Sequence, residues 1–248
     1  MQRNKTGKVV PYVDDKSSKS RQVERMFDEI AGKYDFLNHV FSWGIDKQWR
    51  RQGIDALRSL SPKRILDVAT GTGDLAVEAC RRLCPDEIVG IDISEQMMSI
   101  GREKVASMGM SDVIRFERQN CEDLSFADNS FDAAMSAFGV RNFENLDGCL
   151  KEIIRVLRPG GRFMILELST PENALLKLGY RFYSKLIPLI GRATSRNDAA
   201  YSYLPQSISA FPQNAELQRI MEVNGFRNVS YKKLLLEVCT MYSGEKQA

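Results

Sequence analysis

The chain has 248 residues, 43% hydrophobic and 27% charged, which suits one globular α/β domain with decorations and a sizeable buried core. A net charge of +3 is too small to mark a nucleic-acid binder, and no run of about 18 apolar residues offers a membrane span. One histidine and five scattered cysteines argue against a zinc site, and with no apolar signal segment opening the chain the expected setting is a reducing cytoplasm.

Residues 1–19 are polar and basic and read as a flexible tail. From Ser20, the spacing of Val23, Phe27 and Ile30 predicts a helix. Between Tyr34 and Arg50 aromatic and polar residues alternate without a clean period, as in a cavity-lining segment or an aromatic-rich capping helix. Trp49 to Leu60 reads as a helix, so residues 20–61 form a helical cap.

Ile65-Leu66-Asp67-Val68 is a short buried strand, and Gly71 and Gly73 turn the backbone tightly after it. From Asp74 the chain is helical, with Leu75, Ala76, Ala79 and Leu83 on one face, so a ligand lies against a helix N-terminus. Gly71-x-Gly73-x-x-Ala76 with Asp92 about 20 residues on fits a dinucleotide. S-adenosylmethionine is the rival, and a bare βα turn a third reading. Asp67, Asp74 and Asp92 around the loop mouth disfavour a pyrophosphate and suit a cationic sulfonium with an ammonium group. The Tyr-x-x-x-Lys of short-chain reductases occurs only near the chain ends, at Tyr12/Lys16 and Tyr242/Lys246.

Glu87 to Asp92 is a second strand whose terminal acid can accept bonds from ribose hydroxyls. Ser94 is the expected N-cap of a helix to about Met108. Val113 to Glu117 is a third strand, followed by Asn120-Cys121, where an amide and a backbone N–H can read an adenine edge. Phe131 to Ser136 is a fourth, leading into Ala137 to Asn142 at the ligand-binding end. Leu146 to Leu157 is helical and stops at Pro159-Gly160-Gly161, before a fifth strand from Arg162 to Glu167. This βαβ alternation predicts a parallel sheet wrapped on both faces. Within residues 173–190 a basic stripe (Lys177, Arg181, Lys185) runs beside apolar residues, as in a helix on an anionic bilayer or an amphipathic lid. Ala210 to Asn224 is a further helix, and residues 226–242 supply two last strands. The expected division is tail (1–19), one domain (20–243) carrying a cap (20–61) and a helical insertion (172–212), and tail (244–248).

The glycine loop, Asp92 and Pro159-Gly160-Gly161 resemble class I S-adenosylmethionine-dependent methyltransferases. Tyr34-Asp35-x-x-Asn38 through Ser42 to Trp49, Arg155 to Gly161 continuing to Glu167-x-Ser169, and Phe138-Gly139-x-Arg141-Asn142 resemble the ubiquinone/menaquinone biosynthesis C-methyltransferase family. Asp46 departs from that family's usual histidine, and Ala69 replaces the first glycine of the general loop. The resemblance implies a Rossmann-like, mostly parallel seven-stranded sheet with helices on both faces, an N-terminal helical cap and a helical insertion after the fifth strand. It implies S-adenosyl-L-methionine as cofactor, with Thr72, Asn120, Cys121 and Ser136 joining Asp67, Gly71, Gly73, Asp92 and Ile93 around it. It also implies a prenylated hydroquinone acceptor, demethylmenaquinol or the ubiquinone precursor, methylated on ring carbon, and a homodimer.

A ring carbon becomes nucleophilic when its neighbouring hydroxyl loses a proton, so the site needs a group that stabilises that charge. Arg141 is the expected electrostatic partner, with a surface ion pair to Glu144 as its alternative use. Tyr34, Asp35 and His39 are candidates for proton handling, and Asn142 for orienting the ring. The acceptor's tail is expected against residues 173–190 and 34–43, with peripheral contact at the inner face of the membrane. A same-fold methyltransferase on another small molecule and a non-catalytic subunit of a quinone-biosynthesis assembly are the rival readings.

Overall fold

Short apolar runs, buried on both faces, build the centre of the protein. The structure, a computed structural model, describes residues 9–42, 44–180 and 198–248. Strands β1 (Arg64–Val68), β2 (Glu87–Asp92), β3 (Ile114–Arg118) and β4 (Phe131–Ala137) pair in parallel, as strands covered by helices on both sides do. With β5 (Leu157–Leu168), β6 (Phe226–Lys233) and β7 (Cys239–Lys246) they form a seven-stranded sheet in the order β3-β2-β1-β4-β5-β7-β6. β5 is parallel to β4, whereas β7 is antiparallel to both β5 and β6. The strand order reverses between β1 and β4, which opens a crevice at their carboxyl ends. The expected sheet is therefore the observed one.

Helices α1 (Lys19–Ser42), α2 (Ile45–Asp55), α3 (Asp74–Leu83), α4 (Glu95–Ser107), α5 (Leu146–Val156), α6 (Asp198–Ala210) and α7 (Ala215–Val223) surround the sheet. Successive strand residues face opposite ways, so the core has two halves. Leu66, Val89, Phe163 and Ile165 meet Leu150 and Ile153 of α5 and Leu217 and Met221 of α7. Ile65, Ile88, Met164 and Leu166 meet Trp49 and Ile54 of α2 and Leu75 and Ala79 of α3. Among the described residues no helix is long and apolar enough to cross a membrane.

Several boundaries differ from expectation for local reasons. α1 runs unbroken for 24 residues, through the aperiodic stretch after Tyr34. α2 begins at Ile45 and ends at Asp55, and Arg58–Leu60 is a separate 3-10 turn. Ser94 caps α4 as expected, its Oγ accepting the Met97 N–H at 3.2 Å. β5 begins at Leu157, and the segment after it bulges out before pairing resumes at Arg162. The helix expected from Ala210 to Asn224 begins only at Ala215, as α7; Ala210 instead ends α6, and in the turn between them Asn214 takes a positive φ of 55°.

Neither expected tail is loose where it is described. Val9 and Val10 are buried, Val9 packing with Val23, Met26, Ala200 and Tyr203, and the Tyr12 N–H donates to Gln22 Oε1 at 3.0 Å. At the other end β7 pairs through Lys246, and Arg162 Nη2 donates to Glu245 at 2.5 Å. Residues 174–180 of the insertion are helical, while Arg181 and Lys185 of its basic stripe lie outside the described residues.

Candidate active site

The crevice is built from the turns after β1, β2 and β4. Asp67, next to last in β1, is 1% exposed, and its Oδ2 accepts the Thr70 hydroxyl at 2.6 Å. Its Oδ1 is buried and has no hydrogen-bond partner among the described residues. Burial pushes the Asp67 carboxyl up to about 7, against the Thr70 bond, and nearby Asp92 adds to the rise. Ala69 follows in the left-handed conformation with a φ of 57°, one usually left to glycine.

Asp92, at the end of β2, ties the loops together. Its Oδ2 accepts the Gly71 N–H at 2.8 Å and its Oδ1 the Ser94 N–H at 2.9 Å. Burial raises its pKa too, with those backbone donors pulling the other way. A buried carboxyl, Asp67, and a half-buried one, Asp92, thus lie at one crevice, and a cation entering it would favour the charged form of both.

Asp74 does not belong with them. Its Oδ1 accepts Lys104 Nζ at 2.6 Å, and its Oδ2 lies 3.5 Å from Arg50. Arg50 is also paired with buried Asp46, which accepts the Ser42 hydroxyl at 2.6 Å. The charge expected at three acids therefore rests on Asp67 and Asp92. Asp46, standing where histidine was expected, has become half of a buried ion pair.

Of the expected donor residues, Gly71, Asp92, Ile93, Asn120 and Cys121 line the cleft, and Tyr34 and Asn142 border it. Asp67, Thr72 and Ser136 are 1%, 2% and 0% exposed and lie beneath it. Ser136 Oγ is a second buried atom with no partner among the described residues. Gly73 is below the surface as well, with a φ of 79°, and a Cβ there would come within 2.8 Å of the Phe116 ring. The second glycine of the loop thus serves close packing of loop on strand, not the ligand. Cys121 and Cys149 are joined as a disulfide, a pairing that the reading of the sequence did not name. Their Cα atoms are 5.1 Å apart because the turn after β3 folds onto the first turn of α5, a proximity that counting cysteines cannot reveal.

The turn after β4 carries the reactive-looking groups. Phe138 has a φ of 63°, and a Cβ at Gly139 would sit 2.5 Å from that of Ala69, so the two turns are in tight contact. Arg141 follows, 8% exposed. Its Nη1 donates to Glu167 Oε1 at 2.7 Å and to the Phe138 carbonyl, and its backbone N–H donates to Glu167 Oε2 at 3.0 Å. Its Nε is buried with no partner among the described residues. Burial opposes the Arg141 charge, but Glu167, Tyr34 and Tyr203 outweigh it and hold the guanidinium protonated. The expected alternative, an ion pair to Glu144, is absent: Glu144 accepts the Ser20 N–H at 3.0 Å. Tyr203 of α6 is 2% exposed and donates its hydroxyl to Asn142 Oδ1 at 3.2 Å. The side chains of Asp35 and His39 lie outside the described residues.

Sequence reasoning missed Glu167 and Tyr203 as site residues. Glu167 was visible as an acid ending an apolar strand. Tyr203 had no signal, since its role depends on how the insertion folds back.

The cleft thus offers half-buried Asp92, an oxygen of buried Asp67 with no partner among the described residues, and an apolar wall of Ile93, Met97 and Phe138. That donor set fits a ligand with a cationic end and a flat base better than a pyrophosphate. The solved structure of a possible histamine N-methyltransferase from Thermotoga maritima has the same fold, with a TM-score of 0.60 and 19% identity over 90% of this chain and 99% of that one. A demethylmenaquinone methyltransferase of Bacteroides fragilis is 50% identical over 240 residues, 96% of this chain and 98% of its own. A ubiquinone/menaquinone biosynthesis C-methyltransferase of Geotalea daltonii is 45% identical over 93% of this chain and 98% of its own. With its sheet order, its acid-lined loop and a family model matched over residues 15–246, the chain belongs to the ubiE/COQ5 methyltransferase family.

Proposed function

We propose that the protein methylates a ring carbon of a prenylated hydroquinone, converting demethylmenaquinol to menaquinol, with S-adenosyl-L-methionine as donor. The observation that carries the acceptor is the 50% identity, over nearly the whole length of both chains, to the Bacteroides fragilis enzyme named for it. The Geotalea daltonii relative's name covers ubiquinone as well, which keeps the benzoquinol precursor as a second acceptor.

The bound donor supplies an activated methyl group, so the chain's own residues have to bind, align and exclude water. Asp92 is the residue for the ribose and Asn120 for the adenine side. Asp67, with an oxygen unused among the described residues, is the residue for the donor's cationic end. Cys121 and Ile93 wall the base. Arg141 stays charged at any working pH, so its part is to stabilise a phenolate rather than to take the proton. Glu167 offsets the Arg141 charge at rest while leaving the Nε–H for the acceptor's oxygen. Tyr34 borders the donor cleft and acts electrostatically on this arginine, and it is the residue for proton transfer. The working site is the cytoplasm, at the membrane face where a prenylated acceptor resides.

Transfer of label from S-adenosyl-L-methionine to reduced demethylmenaquinone in detergent micelles, with the benzoquinol precursor in parallel, tests the proposal. Labelled menaquinol is the expected product. Donor binding without product from either quinol would overturn the acceptor.

A further inference from the structure

Beside the donor cleft lies a second cavity of about 280 Å³. Tyr203, Ser207 and Phe211 recur at four-residue spacing, which stacks them on one face of α6 and its end. The Phe211 N–H donates to the Ser207 carbonyl at 3.1 Å, so the helical path continues to Phe211. Val140, Leu146 and Pro212 supply further apolar wall. Arg141 and Tyr203 border the cavity, and Tyr203 in turn holds Asn142 of the donor cleft. Phe143 and Glu144 line both spaces, so the cavity and the cleft adjoin. At that junction Lys19 Nζ donates to the carbonyls of Arg141 and Phe143, at 3.0 Å each, which engages the cation nearest the apolar wall.

A ring held against Arg141 would have the donor cleft on one side and this apolar chamber on the other. We infer that the chamber is the subsite for the first isoprenoid units of the acceptor's tail. The inference rests on the proposed acceptor. The route expected from the sequence, along residues 173–190 and 34–43, lies largely outside the described residues; in its described part Leu175 and Leu178 are 78% and 66% exposed and border neither cavity. A tail laid on them would stay largely in water, whereas the chamber removes it from water on several sides. The Ser207 hydroxyl is already turned onto the Leu204 carbonyl at 2.9 Å, which leaves that wall without a free donor.

The test compares kcat/KM for a tailed demethylmenaquinol and its tail-less naphthoquinol analogue, using the full chain and saturating donor. The wild type should favour the tailed acceptor, roughly 100-fold for a few buried isoprenoid carbons. Ser207→Leu, which fills the chamber, should reduce that ratio at least about tenfold. Phe211→Ala, which removes a wall, should raise KM for the tailed acceptor more than it changes kcat, and it carries the test if the leucine variant fails to fold. Calorimetric donor affinity reports folding of each variant. A ratio unchanged in both variants, or a ratio that falls instead in Leu175→Ser with Leu178→Ser, overturns the chamber. A wild type that methylates neither acceptor overturns the underlying function rather than the subsite.

Discussion

Asp67 keeps an acid where water cannot reach it, and the pH behaviour of the protein follows from that. Its folded pKa, about 7, lies above the roughly 3.9 of an exposed aspartate, so the native state binds more protons than the unfolded chain between those values. Stability of the ligand-free protein therefore falls as pH rises from about 4 to about 7 on account of this group. Asp67→Asn removes that fall. Thermal melts at pH 8 should show the variant at or above the wild-type midpoint, while its donor affinity drops roughly tenfold or more, the worth of a bond to a charged group. Wild-type donor affinity should rise with pH up to about 7 and then level off, and the variant's should rise less, with Asp92 the one of the two carboxyls left to titrate; calorimetry across pH reads both. Equal slopes would exclude Asp67 from the donor site. At Arg141 two effects separate. Arg141→Ala should reduce methyl transfer roughly 100-fold or more with donor affinity nearly unchanged, as loss of an electrostatic stabiliser does. Glu167→Ala strips the counter-charge from a buried cation and should cost about 3–5 kcal/mol of stability by denaturant titration, whereas Glu167→Gln should cost less. At this scale the sequence was readable where chemistry is local. The left-handed turn, Asp92 and Arg141 stand out by type and spacing. The partner of Arg141 did not, because Glu167 is 26 residues away on the next strand.

Among elements, α6 couples the insertion to the chemistry. Tyr203 is its one described hydrogen-bonded link to the turn after β4, and burial pushes its phenol well above the usual range, so it remains a donor throughout the working pH. Tyr203→Phe should lower kcat several-fold through loss of the bond that orients Asn142, with KM for the donor and the melting midpoint little changed; a change in melting alone would make the residue structural. The loop after β1 is the other sensitive element. Gly73→Ala combines a positive φ with a clash on Phe116, so it should destabilise the protein by about 1–3 kcal/mol, measurable in a urea titration. The first four strands were legible to within a residue, because burial leaves apolar runs, whereas β5 begins at Leu157, ahead of the Pro159-Gly160-Gly161 expected to precede it. Helix ends were less so. Nothing periodic distinguishes the aromatic stretch in α1 from a loop, and the break between α6 and α7 depends on Pro212 and Asn214, which the apolar spacing on either side masks.

For the whole molecule, the order in which the chain is made differs from the order in which the sheet is laid. β7 comes after the other six strands in the chain but lies inside, between β5 and β6, and its final paired residues include Glu245 against Arg162 and Lys246 against Phe226. A nascent chain still lacking these residues has two unpaired strand edges, one on β5 and one on β6, and no means of joining them. Joining β5 to β6 thus takes the insertion of β7 into a gap, a long-range closure. Without β7, β5 presents an unpaired apolar edge to any neighbouring chain, so the same strand that completes the sheet also shields it from association.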